Sequence, residues 1–176
     1  MLRTALATLL LSLSLSFAWA QADLDIRLEQ LKAQHERLRS EEQRVMARMD
    51  STKLAIIRRD LERSGLPKLG AGEEVVIHPG HMLVYSEKHE QAKWVAHIAA
   101  QDLVTGNLAR IDSFLPDPLV RTGTAVTADY WNSGYDRGHL VPSADMRWNA
   151  GALQATYYYS NISPQLPELN RGTWAE

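Results

Sequence analysis

Hydrophobic residues are spaced in three ways along the chain, and each spacing predicts a different kind of segment. Residues 5–18 form a nearly unbroken apolar run of Leu, Ala and Phe, diluted by Ser and Thr. From 22 to 64 the apolar positions thin out to Leu24, Leu28, Leu31, Leu38, Val45, Met49 and Ile56, on four- and three-residue steps that place them along one seam of a long helix. No Gly or Pro interrupts this stretch until Gly65 and Pro67, which predict its end. Beyond a linker at 65–73, β-branched and aromatic clusters bounded by Gly, Pro or charge predict short strands over 74–78, 82–86 and 93–98. Pro116, Pro118 and Gly123 make 110–129 mostly loop, and the remaining pattern predicts a short helix at 149–157, a strand at 157–162 and a helix starting near Pro167.

The first run begins with Arg3 and ends in Ala18-Trp19-Ala20 before Gln21, the charged start, apolar middle and small-x-small exit of a secretory signal. Its 14 apolar-run residues fall short of the ~20 that a membrane-spanning helix needs. The expectation is therefore cleavage near Ala20 and a secreted or periplasmic mature protein without a membrane segment. The chain has no Cys, which excludes disulfides, Cys-ligated metals and thiol nucleophiles, so any metal must be held by oxygen or nitrogen.

His35, Glu42, Thr52 and Arg59 interrupt the seam of the long helix. Two readings stay open: a solvated helix that packs one face on its own domain, and a weak homodimer zipper. Charge does not favour a nucleic-acid-binding arm, because residues 21–64 hold nine acidic and ten basic side chains. Over the whole chain 19 Lys and Arg face 21 Asp and Glu, so a nucleic-acid site would have to be local. The organisation read this way is a signal at 1–20, a helix at 21–64, a linker at 65–73 and a domain at 74–176.

Chemistry concentrates in Tyr135-Asp136-Arg137-Gly138-His139-Leu140, followed by Ser160-Asn161-Ile162-Ser163-Pro164-Gln165 and by Asn170-Arg171-Gly172-Thr173-Trp174. A neutral imidazole at His139 can take a proton from water near neutral pH, and Gly138 lets the backbone bend beside it. Arg137 offers a permanently charged fork for a phosphate oxygen. Asn170 offers a carboxamide oxygen, which suits Mg²⁺ better than zinc, since Mg²⁺ keeps most of its waters and needs few protein ligands. His89-Glu90 does not continue into a zinc-protease helix motif, because position 93 is Lys. Tyr157 and Tyr159 alternate onto one face, where core packing is expected over base stacking.

Together with Trp94-Val95-Ala96, Asp129-Tyr130, Ser133-Gly134 and Ala144-Asp145-Met146, these motifs make the chain from about Val75 onward resemble the sugar-non-specific DNA/RNA endonucleases, the ββα-metal family that includes mitochondrial endonuclease G. The helix at 22–64 lies outside the resemblance. It implies an α+β domain with an antiparallel sheet, preceded here by the long helix. It also implies His139 as general base, Arg137 and more weakly Arg110 on the phosphate, Asn170 as the single direct ligand of a hydrated Mg²⁺ or Mn²⁺, and Asp136 and Asn161 as supporting residues. Asn161-Ile162-Ser163 is then a buried site element and not a glycosylation signal. DNA and RNA would be the substrates, with a 5′-phosphate left on the product.

The family pattern continues past the tryptophan to a Glu eight residues after the metal-binding Asn, which would be position 178; Glu176 falls two residues short. The expectation is an incomplete C-terminal part. Two alternatives follow: an inactive nuclease-like module that binds nucleic acid or a partner, and an interaction protein acting through its N-terminal helix.

Overall fold

A computed structural model describes residues 2–99 and 106–174, with side chains from residue 21 onward except Thr173. The first helix, α1, runs over Leu2–Ser64 and stops where Gly65 takes φ +83, a left-handed conformation that glycine adopts without steric cost. Ser64 Oγ closes its last turn on the Asp60 carbonyl at 2.8 Å. The chain divides into two units, 1–49 and 50–176. In the first, every side chain from 21 to 49 is exposed, the seam residues included. Among the described residues no helix is long and apolar enough to cross a membrane.

The second unit has an α+β fold with two antiparallel sheets. Strands β1 (Val75–His78), β2 (His81–Ser86) and β3 (Gln91–His97) form one sheet in the order β1-β2-β3. Pro79-Gly80 turns β1 into β2, with His78 opposite His81 and Gly80 at φ +89. The central strand is buried at Met82, Leu83 and Val84. Ile57 and Leu61, from the end of α1, pack on Met82 together with Val75, Trp94 and Trp148. Burying each of these aliphatic side chains contributes about 1.5–3 kcal/mol, so the core of this unit begins inside α1.

A short helix α2 (Thr127–Tyr130) precedes β4 (Asp136–His139), which pairs with β5 (Ile162–Gln165) in a second, two-stranded sheet. The sequence pattern did not predict β4, because Asp-Arg-Gly-His reads as a loop. It is a strand because β5 lies beside it with Gly138 opposite Ser163, and a Cβ at Gly138 would collide with the Gln165 side chain. Pro164, which has no N–H to donate, sits on this two-stranded edge.

Between the two strands, α3 (Ala150–Thr156) starts at Asn149, whose Oδ1 accepts from Ala152 N at 2.9 Å while its Nδ2 donates to Asp50 at 2.8 Å. The strand expected at 157–162 is instead the exit of α3 and a single 3₁₀ turn at Tyr159–Asn161, and the strand follows it. The tyrosines that suggested a strand are core aromatics: Tyr157 and Tyr159 are fully buried, as their alternation implied.

Candidate active site

The β4–β5 sheet and the loops beside it build the site. His139 ends β4 opposite Ile162, and its backbone is fixed by neighbours: its carbonyl accepts from Trp174 Nε1 at 3.1 Å, and Leu140 N donates to the Asn161 carbonyl at 2.9 Å. Its ring meets Tyr157 edge-on at 4.9 Å and Phe114 at 5.6 Å, and its Nε2 is buried without a hydrogen-bond partner among the described residues. Burial, and then the charge of Arg110, push its pKa down to about 4. The imidazole is neutral at neutral pH.

Arg110, Asp136, Arg137 and Asn170 line one open cleft of about 400 Å³, with Phe114, Thr127, Tyr130, Trp131 and Tyr135. The Arg137 guanidinium lies 4.5 Å from the centre of the Phe114 ring. Asn170 sits in a wide helical turn at Leu169–Thr173, its N–H bonded to the Leu166 carbonyl at 2.9 Å. Its Nδ2 donates to Asp136 Oδ2 at 3.0 Å. A carboxylate demands the amide NH₂, so Asp136 also fixes which way the carboxamide faces and leaves Oδ1 as an acceptor. Asp136 itself takes two bonds from Arg171, at 2.7 and 2.6 Å, and these, followed by the Asn170 bond, hold its carboxyl below the ordinary carboxylate range.

Two of the expected site residues stand outside the cleft wall. His139 does not line it; Phe114 touches both the cleft and the imidazole. Asn161 is completely buried: Oδ1 accepts from Val141 N at 2.9 Å, and Nδ2 donates to the carbonyls of Val141 at 3.1 Å and Thr156 at 2.9 Å. It clamps the chain two residues beyond His139. Glu176 lies outside the described residues.

The pattern gave no sign of the ion network behind this clamp. Asp117, between two prolines, is buried and accepts from His78 Nε2 at 2.7 Å, from Ser160 Oγ, and through Oδ1 from Leu119 N at 2.8 Å. Burial opposes its charge, but the bonds from His78 and Ser160 outweigh that and keep the carboxyl below its ordinary value. Its partners are 39 and 43 residues away, so no local motif marks it. Phe114 and Trp131 were likewise missed; the only signal was an unusual density of aromatics before the Asp-Arg-Gly-His run.

A half-buried neutral imidazole, a cleft with two arginines and an oriented carboxamide beside a two-stranded sheet form the candidate site of this α+β scaffold. The chain belongs to the DNA/RNA non-specific endonuclease family, whose model matches residues 60–176. It is 38% identical over 120 residues to the mitochondrial nuclease EXOG of Danio rerio, covering 67% of this chain and 34% of that protein. To the mitochondrial endonuclease G of Homo sapiens it is 34% identical over 117 residues, 65% of this chain and 38% of that protein. The crystal structure of a complex of EndoG with EndoGI superposes with a TM-score of 0.60 at 27% identity, covering 66% of this chain and 48% of that one. The chain thus spans about a third of the length of these curated relatives.

The same relatives correct the expectation of a secreted or periplasmic protein, since both are mitochondrial nucleases. The start of the chain misled because three Ser and no acidic residue in 1–20 are features that organelle transit segments share with export signals.

Proposed function

We propose that this chain carries a metal-dependent nuclease site that hydrolyses phosphodiester bonds of DNA and RNA without sequence preference. One observation supports the reading above others: Arg110, Arg137 and an oriented Asn170 share a cleft whose Phe114 wall rests on the neutral ring of His139. The His139 imidazole takes the proton of a water as that water's oxygen bonds to phosphorus and the bond to the 3′ oxygen breaks, leaving a 5′-phosphate. Arg137 and Arg110 hold the phosphate oxygens. A phosphate docked on Arg110 offsets the charge that depresses His139, so substrate binding makes the imidazole a better base.

Asn170 Oδ1 is the oxygen that would hold a hydrated Mg²⁺ or Mn²⁺. The donor chemistry fits that ion, since Asp136 holds Asn170 Nδ2 and leaves a neutral carboxamide oxygen, and a hydrated Mg²⁺ needs few protein ligands. When bound, the ion supplies positive charge beside the phosphate and the leaving oxygen. Contact with phosphate and not with base edges accounts for indifference to sequence.

The test incubates the full chain with supercoiled plasmid and with RNA, in Mg²⁺ or in EDTA. Cleavage of both substrates that stops in EDTA is expected. Folded protein that leaves both intact in Mg²⁺ overturns the proposal in favour of a module that binds without cutting.

A further inference from the structure

One large side chain on the cleft has no structural reason to be where it is. Trp131 is 76% exposed and belongs to none of the core clusters, whereas Trp94 and Trp148 pack against the core and Trp174 bonds to the His139 carbonyl. Its loop is not loose. Trp131 N donates to the Ala128 carbonyl at 3.2 Å, and Ser133 bonds to the Tyr130 carbonyl through N at 3.3 Å and through Oγ at 2.9 Å. Tyr135 N then donates to Ser133 Oγ at 3.2 Å. Asn132 at φ +53 and Gly134 at φ +81 make the tight reversal that these bonds close. The loop therefore holds the indole in solvent and brings Tyr135, itself 49% exposed, to the same cleft wall as Arg110 and Arg137.

We propose that Trp131 and Tyr135 form a base-stacking shelf that receives an unpaired nucleobase next to the phosphate held by Arg137 and Arg110, and that this shelf biases the site toward single-stranded or locally unpaired nucleic acid. The inference rests on the nuclease reading of the cleft and adds its substrate preference. Charge argues for this occupant: a cleft with two guanidinium groups beside exposed aromatic faces matches a strand that alternates phosphates and π-faces, and does not match a purely apolar peptide. Stacking tolerates every base, so the shelf adds affinity without adding sequence preference. In a duplex the bases are already stacked and must be unstacked at a cost before they reach it.

The experiment measures binding of the full chain in EDTA, where no cleavage intervenes. The probes are fluorescent single-stranded oligo-dT, oligo-U, an abasic oligonucleotide of equal length and a blunt duplex. Native protein should bind oligo-dT and oligo-U more tightly than the abasic strand. Trp131→Ala should weaken oligo-dT binding about 5- to 150-fold, the equivalent of losing one stacked base, with abasic binding unchanged. Trp131→Phe should restore part of the loss. Because the side chain is exposed, the thermal midpoint of Trp131→Ala should match the native value, which separates lost stacking from lost folding.

If Trp131→Ala binds oligo-dT as tightly as native protein, the shelf is overturned while the nuclease reading stands. If native protein binds none of the probes and does not cleave in Mg²⁺, both fall. If Trp131→Ala instead abolishes self-association of the chain and leaves every oligonucleotide affinity unchanged, the indole covers a second copy and the shelf is again overturned.

Discussion

His81 buries both ring nitrogens and His139 buries its Nε2, none of them meeting a partner among the described residues, and burial is the first cause of a lowered pKa in each, to about 3 and about 4. What surrounds them differs. At the β1–β2–β3 end, His81 lies 5.0 Å from His78 and opposite His97, and these two histidines add to the depression. At the β4–β5 end, the second influence on His139 is Arg110, which lines the open cleft with Arg137 and Asn170. Burial alone therefore does not mark a base. What distinguishes His139 is that its ring rests on Phe114, which lines the open cleft of Arg110 and Arg137, while His81 is closed in by its own sheet.

The largest effect should separate the two residues outright. His139→Ala is expected to lower plasmid cleavage by about 10²–10⁴-fold, the usual contribution of a positioned general base. His81→Leu should leave cleavage at the native level in folded protein. Equal losses in both variants, measured as initial rates under the same Mg²⁺, would erase the distinction. A pH profile sharpens it further. For free enzyme kcat/KM should fall only as pH drops through about 4, where His139 becomes protonated, and not near 6.5 as for an ordinary histidine.

Next in size is the network that joins the two ends. Asp117 bonds His78 on β1 and Ser160, the residue before Asn161. Asp117→Ala strands both partners in a buried site and should cost about 3–5 kcal/mol in urea unfolding at pH 7. The carboxyl is depressed in the folded state, so its contribution is complete above the unfolded value near 3.8 and is lost as pH falls through the lower folded one. A loss under about 1 kcal/mol would mean that the two ends are held independently.

A third, smaller effect belongs to His81. Its folded pKa of about 3 lies below the ordinary 6.5, so between those values the unfolded chain binds the extra proton. Stability from this residue is full above 6.5 and drains as pH falls toward 3, by about 2 kcal/mol at pH 5. His81→Leu should flatten that limb, seen as a smaller difference between urea midpoints at pH 7 and pH 5. An unchanged difference would place the acid sensitivity elsewhere.

The same contrast explains how much of the molecule could be read from sequence. Features fixed by neighbours in sequence were legible: α1 ends at Ser64 because Gly65 follows, and α3 begins where Asn149 can cap it. The α+β fold, and of the cleft residues Asp136, Arg137 and Asn170, followed from motifs on β4 and on the turn after β5. Features fixed across space were not. β4 is a strand only because β5 pairs with it, the Tyr157–Tyr159 run turns because its rings enter the core, and Asp117 is buried by residues about forty positions away. Trp131 escaped for the opposite reason, since nothing in a sequence states that an indole stays exposed.

The smallest effect should come from the unit where hydrophobic spacing was most regular. Leu38 is 58% exposed and occupies the α1 seam, while Ile57 and Leu61, further along the same helix, are buried in the core of the second unit. Leu61→Ala is expected to cost about 2–5 kcal/mol, and Leu38→Gln to stay within about 0.5 kcal/mol. A solvated helix has nothing to lose when an exposed leucine becomes polar, so the unfolding midpoint should also be independent of protein concentration in both native and variant chains. A zipper would behave otherwise: association stabilises the folded state by mass action, so the native midpoint would climb with concentration and Leu38→Gln would abolish the climb. Scanning calorimetry over about a hundredfold range of concentration decides between them, because a change of that size would be worth up to about 2.7 kcal/mol to a self-associating seam and nothing to a solvated one.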